Sequence, residues 1–151
     1  MRLRTAFGLA AVLLLVLAGC ATPGTSVSEV DADLGTFVTG DVELGGTVGR
    51  GVPVTGTSMY VYQYGDAENT VAVLSPIEAE LGSTRVVAGR LVPFDGEVTD
   101  EVTAAIEAHL EANGVGEDTL GAATDRSQGL IRTFTIANGA RFFVLEDAPA
   151  E

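Results

Sequence analysis

The chain opens on an apolar run and then changes its period. Met1-Arg2-Leu3-Arg4 carries two positive charges, and Ala6 to Ala18 is apolar, broken only by Gly8. The run falls short of the ~20 apolar residues a spanning helix needs. A charged start followed by a short apolar stretch is the pattern of a secretory signal. Residues 1–19 are therefore expected to be a signal peptide. Ala21 to Leu34 is small, polar and acidic, with too little apolar surface to order itself. Residues 20–35 accordingly read as a flexible tether.

From Thr36 the pattern becomes short β runs. Phe37 to Leu44 alternates apolar and polar over its second half, with Gly40 marking a bend. Gly45 to Pro53 reads as a glycine-rich connection. Thr57 to Tyr64 predicts a second strand with Tyr60, Tyr62 and Tyr64 on one face, and Thr70 to Leu74 its hairpin partner across Gly65–Asn69. Ile77 to Leu81 is expected to make one helical turn, and Thr84 to Val92 a fourth strand.

Pro93-Phe94-Asp95-Gly96 breaks the β pattern. Thr99 to Asn113 then repeats apolar residues at helical spacing (Val98, Val102, Ala105, Ile106, Leu110), with Thr99 or Asp100 to cap it and Gly114 beyond its end. Gly114 to Gly129 reads as a polar loop with a weak turn near Leu120 to Ala123. Leu130–Ile136 and Ala140–Leu145 read as two strands joined at Asn138-Gly139, a hairpin signal. The expectation is one domain over residues 36–147, mainly β with one helix near 99–113, and a tail at 148–151.

Charge narrows the partners. All 21 acidic residues lie after Cys20, with six arginines and no lysine, a formal charge of −15 for residues 20–151. Such a surface repels phosphate backbones and anionic headgroups, so no nucleic-acid partner is expected. The carboxylates are scattered, which suits solvation in a salty medium better than cation binding. Cys20 is the sole cysteine, so no internal disulfide can form.

Two resemblances add to this. Leu17-Ala18-Gly19-Cys20 resembles the lipobox of prokaryotic lipoproteins. The resemblance implies that the Cys20 thiol receives a diacylglycerol, that the chain is cut before it, and that the new amino terminus is acylated. The protein would then be exported and anchored in the cell membrane or outer membrane through lipid on Cys20. Each buried acyl CH₂ contributes ~0.8 kcal/mol, so two or three chains hold firmly. Further on, Val38-Thr39-Gly40-Asp41-Val42, the tyrosine-rich second strand and Arg85-Val86-Val87-Ala88-Gly89-Arg90-Leu91 are similar to OB-fold barrels, with Phe142–Leu145 as a closing strand. Their glycines let long strands bend so that five can close a small antiparallel barrel. The helix at 99–113 is not where that fold usually carries one, between the third and fourth strands. An α+β antiparallel sheet backed by one helix is the alternative.

Tyr60, Tyr62 and Tyr64 are the candidate ligand face, because OB folds stack ligands on aromatics beside the second and third strands. The competing account is that alternating aromatics simply favour strands. His109 is the only histidine and has no companion for a zinc site or a nucleophilic triad. Asp31/Asp33 and Asp66–Asn69 lack a calcium-loop pattern, and Gly45–Gly51 lacks the ending of a phosphate loop. No catalytic residue, metal or cofactor is expected. The expected function is non-enzymatic binding of an envelope protein, glycan or small ligand. The alternatives are a structural or stress-related lipoprotein without a specific ligand, or a small exported enzyme or cofactor carrier using His109.

Overall fold

The computed structural model describes residues 24–38 and 40–149. The Leu17–Cys20 motif and the signal segment lie outside the described residues. Among the described residues six strands occur, β1 (Thr25–Ser26), β2 (Asp41–Pro53), β3 (Tyr60–Gly65), β4 (Thr70–Ser75), β5 (Thr84–Pro93) and β6 (Phe142–Glu146). The helices are α1 (Val27–Ala32), α2 (Leu34–Phe37), α3 (Asp100–Ala112) and α4 (Glu117–Asn138).

Strands β2 to β6 close a barrel. β2, β3 and β4 form an antiparallel meander; β4 then pairs in parallel with β6, β6 antiparallel with β5, and β5 antiparallel with β2. Taken as barrel strands one to five, the order is that of an OB fold. Closure leaves each side chain either inside or outside. Val42, Leu44 and Val48 from β2 point in, as do Tyr62 and Tyr64, Val71 and Val73, Val87 and Leu91, and Phe142 and Val144. At Gly89 two strands approach closely: a Cβ there would stand 2.0 Å from the Leu145 carbonyl oxygen.

A second core lies outside the barrel. Val61, Ala72, Leu74, Phe143 and Leu145 face outward and are covered by Val102, Ile106 and Leu110 of α3 and Leu120, Ala123, Ile131 and Phe134 of α4. Thr99 caps α3, its side chain accepting from the Val102 N–H at 3.2 Å, as expected from the sequence.

Several expectations change. Phe37 closes α2 instead of opening a strand, and β2 begins at Asp41. Residues 117–136 are not loop and strand but most of the 22-residue α4; Gly139, at φ 64°, ends it and no hairpin forms there. The Gly45–Pro53 connection is instead the second half of a continuous β2, bulged between Val48 and Gly51. Ile77–Leu81 forms no helical turn. The predicted tether is folded from Gly24 onward. Ser26 and Glu29 cap α1 reciprocally, and Val27 and Val30 have no exposed surface, packing into the barrel core. Two valines suffice because the barrel supplies the rest of the apolar contact.

Candidate functional site

The three tyrosines do not form one exposed platform. Tyr62 and Tyr64 are 1% and 0% exposed inside the barrel, their rings edge-on with centroids 6.4 Å apart. Only Tyr60, at the strand's start, is half-buried at the surface. The stacking face expected on β3 is thus corrected: a closed barrel makes the inward side of an alternating strand its core. The outward side of β3 and β4, through which OB domains bind oligonucleotides and oligosaccharides, lies under α3 and α4.

Tyr62 and Tyr64 instead hold a polar network. The Tyr62 hydroxyl donates to Glu146 Oε2 at 2.6 Å and accepts from Arg85 Nη1 at 2.7 Å. The Arg85 guanidinium forms a second, ion-paired contact to Glu146 through Nη2. Tyr64's hydroxyl lies 2.7 Å from the Leu44 carbonyl oxygen and 2.5 Å from that of Arg85. Burial pushes the Tyr62 phenol far above its ordinary range, and the Glu146 charge adds to the effect. Burial raises Tyr64 to about 12. Glu146 is buried at the end of an otherwise apolar strand, so the pair with Arg85 compensates its charge. Nothing in the sequence pairs residues 61 positions apart. The one legible signal was a carboxylate at the inward-facing end of Phe142–Glu146.

The acidic candidates divide in the same way. Asp66 accepts from the Ser28 N–H (2.9 Å), the Ser28 hydroxyl (2.7 Å) and the N–H groups of Glu68 and Asn69 (both 2.9 Å). Burial raises its pKa, but these donors together outweigh it and bring it down to about 2. The group latches α1 to the β3–β4 turn. Asp31 pairs with Arg141 at 3.0 Å, and Asp33 accepts from Thr36. Among the described residues no three metal-ligating side chains gather.

His109 sits in the last turn of α3. Burial lowers its pKa, opposed by the Leu74 backbone and the charges of Asp147 and Glu146. Its Nε2 is buried without a hydrogen-bond partner among the described residues. No hydroxyl or thiol nucleophile is hydrogen-bonded to it there.

No family model, curated protein or solved structure matches this chain. The site is therefore defined by its own geometry.

Of the depressions on the surface of the described residues, two are lined in part by arginine side chains. A groove of about 450 Å³ runs between the end of β5 and the start of α3, where Arg90 and Arg141 face Asp95, Glu97 and Glu101. Mixed charge and the engagement of Arg141 by Asp31 leave it little selectivity. A cleft of about 330 Å³ opens at the barrel mouth between the bulged half of β2 and the Pro76–Ser83 connection. Gly49, Arg50, Gly51 and Pro53 form one wall, Glu78, Ala79 and Leu81 the other, and Tyr60 and Tyr62 the floor. Leu81 is 73% exposed. Of the predicted ligand residues, Tyr60 and Tyr62 thus reach this cleft and Tyr64 does not.

Proposed function

We propose that this chain is a lipid-anchored envelope protein, held outside the cytoplasm by acyl chains on Cys20, whose OB-like domain binds another envelope molecule without catalysing a reaction. The observation that carries the reading is the succession of motif and fold. The Leu17–Cys20 sequence is followed after only three residues by Gly24, which is fixed against β2: a Cβ there would lie 2.7 Å from the Gly45 nitrogen. Among the described residues no helix is long and apolar enough to cross a membrane, so in this reading attachment comes from the lipid.

The binding half of the proposal rests on the barrel-mouth cleft, which brings a half-buried aromatic, an apolar lip and both charge signs together. Cys20→Ser tests the anchor. The variant is expected to leave the membrane fraction and lose acyl labelling; unchanged fractionation and labelling would refute it. Affinity capture with the intact lipoprotein from its native membrane tests the binding half. A partner lost on Tyr60→Ala supports it.

A second reading has its own support. Burial of Tyr62 and Tyr64, with helices over the β3–β4 face, suits a structural envelope lipoprotein with no specific ligand. Capture that yields nothing dependent on Tyr60 would favour it.

A further inference from the structure

β2 is longer than either of its neighbours. β5 begins at Thr84, opposite Thr47, and only the Val48 N–H and C=O continue that side, bonding to Ser83 and Gly82. Gly82, at φ 83°, then turns the connection away. Beyond Val48, β2 is paired with β3 alone, through Gly51↔Tyr62, Val52↔Val61 and Pro53↔Tyr60.

The hydrogen-bond phase of this stretch follows from one contact. The Val54 N–H donates to the Met59 carbonyl at 2.8 Å. Bonded and non-bonded pairs alternate along an antiparallel ladder, so Val52 directs its N–H and C=O at Val61. The Gly51 N–H and C=O and the Pro53 C=O then point away from β3, into the barrel-mouth cleft. Among the described residues, no backbone or side-chain hydrogen bond outside the strand ladders reaches Gly51. The cleft is thus a short open strand edge facing Glu78–Leu81.

We propose that this edge takes an extended peptide segment, which adds as a strand antiparallel to β2 at Gly49–Pro53. Main-chain bonds to Gly51 and Pro53 would hold the segment, and alternate side chains would pack on Tyr60 and Leu81. Gly49 and Gly51 keep the wall flat: a Cβ at either would already press on Gln63 or Tyr62. The favoured segment is basic. Glu78 lines the cleft and Glu80 lies beside it, against the single charge of Arg50, in a chain whose residues 20–151 carry −15. The inference deepens the binding half of the proposed function and is independent of Cys20.

The test uses the intact protein in detergent and an acetylated heptapeptide of alternating lysine and valine. Exchange of the Gly51 amide is expected to be fast in the free protein and to slow about tenfold or more at saturating peptide. The same peptide N-methylated at alternate positions should give no protection. Tyr60→Ala should weaken binding about tenfold while membrane fractionation stays unchanged. Three results would overturn the idea: no protection at millimolar peptide, equal protection by a glutamate–valine peptide, or a Gly51 amide already as slow as the β3 ladder. Failure here with a membrane-bound wild type leaves the anchor standing; loss of the anchor with a protected Gly51 does the reverse.

Discussion

Removing the Glu146 carboxylate should unlock one end of the barrel. Glu146→Ala leaves the Arg85 guanidinium without its counter-charge and the Tyr62 hydroxyl without its acceptor. Breaking a buried ion pair costs about 3–5 kcal/mol. The side chain of Arg85 keeps 21% of its exposure and that of Glu146 only 3%. Arg85 can therefore regain part of its hydration, and the expected loss falls to about 2–4 kcal/mol. For a domain of this size that is a large share of a total stability of about 5–15 kcal/mol. Tyr62→Phe, which spares the ion pair, should cost about 1 kcal/mol. The double change Arg85→Met with Glu146→Leu removes both charges and should return to within about 1 kcal/mol of the wild type. The chain has no tryptophan, so urea unfolding is best followed by far-ultraviolet circular dichroism. A Glu146→Ala variant within about 0.5 kcal/mol of wild type would refute the reasoning, because the pair would then be exchanging freely with water. A double variant as unstable as the single one would refute the claim that the loss comes from an orphaned charge.

Three further outcomes follow from other contacts. Asp66 is held down to about 2 in the folded chain against about 3.9 unfolded, so its contribution is present above pH ~4 and lost as pH falls through ~2; solvent screening limits it to about 1 kcal/mol. Asp66→Asn should abolish that acid dependence and speed hydrogen exchange in α1. Gly89→Ala drives a Cβ to 2.0 Å from the Leu145 carbonyl oxygen, where backbone rather than a flexible side chain must yield; a loss of about 3 kcal/mol or more is expected, read by thermal melting. Tyr62 and Tyr64 have raised phenol pKa values, so they stabilise the fold below the unfolded value of ~10 and that stabilisation is lost as pH rises further. Ultraviolet titration should show these two phenols ionising with alkaline unfolding, and two normally titrating phenols in a folded chain would contradict their burial.

Alternation made β3, β4, β5 and β6 legible, because each strand places β-branched or aromatic residues on a two-residue period. It could not say which side of β3 faces inward, and that side decided the fate of Tyr62 and Tyr64. α4 was hidden for a different reason. Its buried face includes Thr124, Ser127 and Thr135, so the apolar stripe is interrupted. Gly121 and Gly129 imitate loop, and Ile131, Thr133, Thr135 and Ile136 favour strands locally. Packing against the barrel overrides these propensities. Asn138-Gly139 reads as a hairpin turn, but a left-handed glycine ends a helix as readily as it turns a hairpin. The bulged half of β2 looked like connection because its glycines carry no pattern; its order comes from β3. The Arg85–Glu146 pair is a product of closure, which no local sequence window contains.

The folded N-terminal segment changes what an anchor on Cys20 would mean. A tether of fifteen residues would let the domain range widely above a membrane. With Gly24 fixed on β2, four peptide steps remain, a reach of about 14 Å. The domain would then sit on the bilayer, with β1 and α1 at its base. α1 is also the plug of the barrel, through Val27 and Val30, and is latched by Ser28 to Asp66. Any pull between lipid and domain would therefore pass through the segment that closes the barrel core, and the capping box and the Asp66 bonds resist it. The Gly49–Pro53 edge lies farther along β2, up to about 25–30 Å of strand from Leu44. In this arrangement the same strand that takes the strain of the anchor at one end presents its open edge at the other. A partner would meet that edge beyond the reach of the leash, which is why shortening the tether leaves the cleft free.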